Sequence, residues 1–344
     1  MVNIPKTMKA WIVTRTGKLP GILELKTNWP TPTPPKTGEI MIRVSYAALN
    51  PGEIKVMAMA APCRVNTIAG MDFVGEVIQI GPTTPKSHSD VRVGMIVGGT
   101  VPLMNMWRGA GALSEYLVLP AHTVVEKPKG LDESVAAGLL GIAGQTNAVI
   151  MRAANLHQGD KVLINGASGG VGCISIQVLR GMGVHVTAIC SAKNEAFVRR
   201  LGAEEVIDYN AHKSLPDYLT SVCAEPGNRP FDAIFNNIKN EPLYTRSPKY
   251  LKPNGKYLDI EAGPFGYFKL SKWWPVILGG TPRTHINILS RPSSDSAKDA
   301  AAWIEKGWIK EIPVDSTFEM DNALQAYERM VSNRATGKIF VKVK

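Results

Sequence analysis

Residues 163–179 read LINGASGGVGCISIQVL. An apolar, strand-like start, Leu163-Ile164-Asn165, gives way to a run of small residues and then to helical spacing. The turn between them admits two readings. As Ala167-x-Gly169-x-x-Gly172 it is the G-x-G-x-x-G fingerprint with alanine in first place. Small residues then allow a tight turn and a close approach of backbone to a pyrophosphate, and the following helix offers N–H donors and the positive end of its dipole. As Gly166-Ala167-Ser168-Gly169-Gly170 it fits G-x-S-x-G, the elbow that exposes a nucleophilic serine.

The surrounding chain supplies the context. From about residue 126, apolar segments alternate with helical ones: KVLIN, the helix after the turn, VHVTAIC, KNEAFVRRLGA, EEVIDY, FDAIFNNI, GKYLDIEA and THINIL. Strands alternating with helices of ten or more residues make βαβ units and a parallel sheet. In the first helix Val171, Ile174 and Val178 fall at i, i+3 and i+7, a face to bury on that sheet. Upstream, residues 1–125 read as short strands rich in β-branched and aromatic residues: MKAWIV, EIMIRVSYAAL, DFVGEVIQI, VGMIVGGTV, LSEYLVL and TVVEKP. The run WPTPTPPKTGE (29–39) is an extended connector, since its prolines fit neither a helix interior nor a central strand. The end of the chain is a helix and then the alternating KIFVKV, which matches the first part and predicts a return to it. The expected division is a mostly antiparallel β domain from 1–125 and 309–344, with a doubly wound α/β domain from 126–308.

That context favours the pyrophosphate. A hydrolase would need an acid and then a histidine downstream, and Asp259 and His285 do occur in that order. Against it stand the third glycine, Gly172, which an elbow does not need, and the long β domain in front. Ser168 then becomes a phosphate neighbour. At the end of the second strand, where NAD sites place Asp or Glu on the ribose, this chain has Ser191-Ala192-Lys193. A hydroxyl and a cation without an acid suit the 2′-phosphate of NADP(H), and Tyr209 lies in sequence where it can flank the same end.

Bulk composition agrees with an ordinary globular protein: 344 residues, 44% hydrophobic and 20% charged. Its length suits two domains. No apolar run reaches the roughly 18 residues of a membrane span, and the N-terminus lacks a signal pattern, so a cytoplasmic address is expected. The formal charge of +10 comes from scattered lysines and arginines without a basic stripe, which argues against nucleic acid and for a solvated surface that attracts an anionic small molecule. Cys63, Cys173, Cys190 and Cys223 form no C-x-x-C pair, and the six histidines lack ligand spacing, so neither a disulfide framework nor a zinc knuckle is expected.

Taken together, AALNPGEIK (47–55), AGMDFVGEV (69–77), GALSEYLVLP (111–120), VAAGLLGIAGQTN (135–147), GDKVLINGASGGVG (159–172), LGAEEVIDY (201–209) and ATGKIFVKV (335–343) resemble the medium-chain dehydrogenases/reductases. The similarity is to their zinc-free quinone oxidoreductase and enoyl reductase branch, and it spans nearly the whole chain. It implies a GroES-like β domain, a Rossmann domain and a dinucleotide in the cleft between them, in a homodimer or a monomer. Zinc-dependent members carry a cysteine near the position of Asn50 and G-H-E-x-x-G where this chain has Gly70-Met71-Asp72-Phe73-Val74-Gly75. Met71 in place of the histidine implies chemistry without a metal. Such chemistry suits reduction of an activated C=C bond, whose own carbonyl accepts the developing charge.

The resemblance also implies roles. Asn50 and Thr146 are expected beside the nicotinamide, Gly169, Gly170 and Val171 beside the pyrophosphate, and Ser191, Lys193 and Tyr209 around the 2′-phosphate. Asn236 and Ala262, within IEAG, are expected to flank the cofactor. Asn50 and Lys55 are the candidates for a catalytic role, although both Glu53 and Lys55 also suit structural ones. The tyrosine that some enoyl reductases use after the Asn-Pro pair has no counterpart, and no proton donor is assigned. Met57, Trp107, Phe265 and Trp273 suggest an apolar pocket for a bulky hydrophobic substrate: an enone, a quinone or an enoyl intermediate. Besides an NADPH-dependent C=C reductase, a quinone or carbonyl reductase and a non-redox protein retaining the fold stay open.

Overall fold

The computed structural model describes residues 3–19, 21–59, 65–82, 90–260, 275–278 and 280–344. Ala262, Phe265 and Trp273 lie outside these residues. The chain divides into two compact units, the first comprising Met1–Gln145, Arg291–Glu305 and Glu311–Lys344, the second Thr146–Ser290 and Lys306–Lys310.

The first unit opens with β1 (Thr7–Val13), β2 (Leu23–Pro30) and β3 (Glu39–Ala48), the last leading into helix α1 (Pro51–Met59). There follow β4 (Thr67–Ile68), β5 (Asp72–Ile80), β6 (Ile96–Thr100), the short helix α2 (Leu103–Trp107), β7 (Tyr116–Pro120), β8 (Val125–Glu126) and α3 (Glu133–Leu140). Helix α4 (Ile142–Ala154) carries the chain into the second unit, which holds β9 (Lys161–Asn165), α5 (Gly172–Gly181), β10 (His185–Cys190), α6 (Glu195–Leu201), β11 (Glu205–Asp208), α7 (Leu215–Ala224), β12 (Phe231–Asn236), α8 (Glu241–Thr245), β13 (Leu251–Asp259) and β14 (Thr284–Asn287). The chain then returns through α9 (Ser294–Glu305), β15 (Val314–Glu319), α10 (Ala323–Val331) and β16 (Lys338–Lys342).

In the first unit one sheet runs β2-β1-β4 and a larger one β15-β16-β3-β5-β6-β8, with β7 also on β3. Pairing is antiparallel except between β15 and β16. This is the GroES-like β domain. The return expected of KIFVKV occurs, as Phe340, Val341 and Lys342 pair with Ala48, Ala47 and Tyr46. Its alternation does not carry through to burial, however. Lys338, Ile339, Phe340 and Val341 are all buried, because this strand is covered on both faces. The unit also extends past residue 125. Helix α3 packs on β3 and β5, and Gly98 makes room for it, since a Cβ there would lie 3.0 Å from Leu140. Ile40, Ile42, Phe73, Val77, Leu117, Tyr327 and Val341 fill the core beneath, each fully buried apolar side chain contributing about 1.5–3 kcal/mol.

The second unit is, among the described residues, a wholly parallel sheet in the order β11-β10-β9-β12-β13-β14. That is the 3-2-1-4-5-6 order of the Rossmann fold, whose strand order reverses between its first and fourth strands. Here the reversal falls between β9 and β12. Leu163, Ile189, Ile234 and Tyr257 belong to the core on one side of the sheet. Helix α5 starts at Gly172, so Val171 stands before its first turn and is only half-buried, while Ile174 and Val178 are fully buried as the spacing predicts. Among the described residues no single helix is long and apolar enough to cross a membrane.

Candidate active site

The glycine turn leaves β9 at its carboxyl end, beside the point where the strand order reverses, which is where open α/β sheets bind their ligands. Each of its small residues has a distinct task. Gly166 takes a left-handed φ of +74°, which a side chain would strain. A Cβ on Gly172 would lie 2.5 Å from Gly166 O and 2.6 Å from Ala167 O, so this glycine sets how closely helix and strand approach. At Gly169 the nearest described atom to such a Cβ is Gly166 O at 3.5 Å, so among the described residues nothing crowds the position. Among the described residues no side chain caps the start of α5, and although Cys173 N donates to Gly169 O at 3.0 Å, a first turn without a side-chain cap can present its other N–H groups to an anion. Asn147 holds that end in place. Its Nδ2 donates to Val171 O at 3.1 Å, and its Oδ1 accepts from Ser175 Oγ at 2.5 Å.

Ser168 is tied sideways. Its Oγ accepts from Asn194 Nδ2 at 3.0 Å, joining the glycine turn to the turn after β10. Asn194 N donates to Ser191 O at 2.8 Å, and Tyr209 N donates to Cys190 O at 3.3 Å. Ser191, Lys193 and Tyr209 thus gather at the adjoining ends of β10 and β11, with Lys193 exposed and Tyr209 half exposed. The acid at the end of β11, Asp208, accepts from Asn210 N at 3.0 Å and Asn210 Nδ2 at 3.2 Å through Oδ1. Asn194 was not anticipated, and a lone Asn before a helix reads merely as a cap.

Across the reversal point Asn165 Nδ2 donates to Asn236 Oδ1 at 2.8 Å. Asn236 is fully buried, and among the described residues its Nδ2 has no hydrogen-bond partner. A buried N–H₂ without an acceptor is costly unless a ligand supplies one. This orphan donor, the uncrowded Gly169 and the uncapped helix fit a dinucleotide. They do not fit a hydrolase. His285 Nε2 does lie 3.5 Å from Asp259 Oδ2, but His285 is on β14, three strand spacings from β9, or about 14 Å from the turn that carries Ser168.

The first unit holds a different feature, a buried polar network. Asn50 Nδ2 donates to Asp72 Oδ2 at 2.7 Å and to Ala48 O at 3.2 Å, and Asn50 Oδ1 accepts from Lys338 Nζ at 2.8 Å. Asp72 Oδ1 accepts from Thr100 Oγ1 at 2.7 Å and from Ile142 N at 2.9 Å. Gln145 Nε2 donates to Thr100 Oγ1 at 3.1 Å, and Gln145 Oε1 accepts from Ser293 N at 2.8 Å. On the other flank Glu53 accepts from Asn50 N at 2.5 Å and from Tyr327 Oη at 2.8 Å. Burial pushes the Glu53 carboxyl up to about 8, against the pull of those two hydrogen bonds. Burial also raises Asp72, opposed by the Lys338 charge and its hydrogen bonds to Thr100, Asn50 and Ile142 N.

The remaining expected residues fall in several places. Thr146 is buried in α4, next in sequence to Gln145. Lys55 is exposed on α1. Met57, expected on a pocket wall, is 3% exposed and belongs to the hydrophobic core of its own unit, because it sits one turn past Glu53 on the same inward face of α1. Trp107 is 49% exposed at the end of α2. Met71 is packed into the core. Among the described residues no three His, Cys, Asp or Glu side chains gather as metal ligands would.

Comparison with known proteins agrees with this architecture. Residues 36–129 match the family model of the alcohol dehydrogenase GroES-like domain, and residues 201–341 match the zinc-binding dehydrogenase model. The chain is 32% identical to a medium chain reductase, pydE, of Acremonium sp, over 98% of this chain and 99% of that one. It is 30% identical to the trans-enoyl reductase poxH of Penicillium oxalicum, over 98% of each. Among solved structures, the quinone oxidoreductase from Coxiella burnetii superposes with a TM-score of 0.81 at 25% identity, covering 98% of this chain and all of that one.

Proposed function

The chain belongs to the medium-chain dehydrogenase/reductase superfamily and is an oxidoreductase, and from that premise we propose that it is an NADPH-dependent reductase of an activated C=C bond in a bulky hydrophobic substrate, working without zinc. The observation that carries the cofactor choice is the corner formed by Ser191, Lys193 and Tyr209, where two hydroxyls and an exposed cation gather, no acid follows β10 at the ribose position, and Asp208 at the end of β11 accepts from Asn210. A 2′-phosphate gains charge-assisted hydrogen bonds there.

NADPH, when bound, supplies the hydride. The chain's own contribution is orientation. Gly169, Gly170 and the first turn of α5 would receive the pyrophosphate, Ser168 would add a hydroxyl bonded to Asn194, and Asn236 Nδ2 would donate to an acceptor on the cofactor. Asn50 and Thr146 are assigned to the nicotinamide end. The carbonyl conjugated to the substrate's double bond would accept the negative charge that develops on reduction, and no group of the chain is assigned as the donor of the proton that completes it. Exposed Trp107 offers an aromatic surface to an apolar substrate. NADPH oxidation measured with a panel of enones, enoyl thioesters and quinones tests the reading. Turnover with conjugated carbonyl compounds is expected; turnover with quinones alone makes the protein a quinone reductase instead, and cofactor binding without turnover removes the redox assignment.

A further inference from the structure

Lys338 opens β16 ahead of Ile339, Phe340 and Val341, and it is 4% exposed. Taking an ammonium out of water costs several kcal/mol, and an apolar residue of similar length avoids that cost. A lysine here therefore calls for a task that an apolar side chain cannot perform, and its contacts supply one. Nζ donates to Leu49 O at 2.9 Å and to Asn50 Oδ1 at 2.8 Å. On the far side of the same amide, Asn50 Nδ2 donates to the Asp72 carboxylate at 2.7 Å. A cation on its oxygen and an anion on its nitrogen leave the amide one orientation. Turning it over sets N–H₂ against the ammonium and C=O against the carboxylate. Asp72 is in turn fixed by Thr100 and Ile142 N, and Gly141 leaves space for it, since a Cβ there would lie 2.4 Å from the carboxylate.

We propose that Lys338 is a positioning residue of the reductase, which, opposite Asp72, fixes the place and orientation of the Asn50 amide and with it the first turn of α1. The inference rests on the assignment of Asn50 to the nicotinamide. With both amide hydrogens committed to Asp72 and Ala48 O, the Asn50 amide is held rigid and is not a free donor. The two charges on either side of the amide then serve geometry, and the fold does not depend on them.

The test uses the full chain. Lys338→Met alone strands the Asp72 charge and destabilises the unit, so the informative variant is the charge-balanced K338M/D72N. Its unfolding midpoint without cofactor is expected within about 5 °C of the wild type. Its NADPH dissociation constant, from fluorescence titration, is expected to rise about tenfold, and its single-turnover hydride transfer at saturating NADPH to slow by about tenfold or more. A merely structural pair would move the midpoint and leave the transfer rate alone. Wild-type affinity and transfer rate in the folded double variant overturn the proposal, as does its failure to fold, which would make the pair a requirement of the fold. Should the wild type bind NADPH yet reduce no substrate, the functional reading fails and NADPH affinity decides alone: a tenfold loss upholds the role of Lys338, and an unchanged constant overturns it. Wild-type protein that binds no NADPH removes both.

Discussion

Among the described residues, two carboxyl groups, Glu53 and Asp72, share the interior of one unit with one ammonium, Lys338. Burial raises both carboxyls, Asp72 against the pull of the Lys338 charge and its hydrogen bonds, and it pushes Glu53 up to about 8. In the unfolded chain Glu53 ionises near 4.5, so between these values the folded state binds the extra proton and stability falls as pH rises. The slope is about 1.4 kcal/mol per pH unit across that window, levelling off above it. Glu53→Gln should remove this component: urea unfolding from pH 5 to 9 is expected to show a flatter decline than the wild type, and parallel curves would refute the assignment of the proton. At the cofactor corner, Lys193→Ala should weaken NADPH by about 10- to 100-fold, the worth of a charge-assisted bond to phosphate, while NADH binding is unchanged. Equal effects on both cofactors would take Lys193 away from the 2′-phosphate.

At the scale of an element, the turn between β9 and α5 separates folding from binding. Gly172→Ala drives a Cβ to 2.5 Å from Gly166 O, so helix and strand must part, and a loss of stability of about 1–3 kcal/mol is expected. Gly169→Ala meets none of the described residues closer than 3.5 Å and should leave the unfolding midpoint unchanged while weakening NADPH, because the new methyl stands where the pyrophosphate is proposed to approach. If Gly169→Ala bound NADPH as the wild type does, the pyrophosphate would not lie over this turn. This element was legible in the sequence because glycine spacing, strand and helix are all local signals. So were the parallel strands that follow it and the return of β16 to β3. The unit boundary was less so, since α3 reads as the start of a new rhythm and only its packing on β3 and β5 assigns it to the first unit. Least legible was the buried network. Asp72 and Lys338 stand in motifs that identify the family, yet they are 266 positions apart, and an alternating strand predicts an outward lysine. The signals that were there are an Asp opening the apolar strand Asp72–Ile80 and a Lys opening another, because charges inside such strands are buried only in company. Thr100, Gln145 and Asn194 gave no sign in advance, for ordinary polar residues acquire a role only from their neighbours in space.

For the whole molecule, a formal charge of +10 spread over the surface favours an anionic cofactor at long range. NADPH affinity should therefore fall as ionic strength rises from about 20 to 300 mM, where the screening length shrinks from about 20 Å to below 8 Å. Lys193→Ala should reduce that dependence, and an affinity indifferent to salt would place the phosphate away from the cationic corner. Glycine turn, cationic corner and buried Asn236 support the proposed NADPH site, and on that site rests the proposal that this chain reduces an activated double bond. The most direct measurement is NADPH and NADH oxidation by the purified full-length protein, followed at 340 nm with an α,β-unsaturated ketone or thioester, with the product checked for a saturated C–C bond. The account predicts turnover with a preference for NADPH of about tenfold or more and a saturated carbonyl product; an intact double bond, or equal rates with NADH, would contradict it.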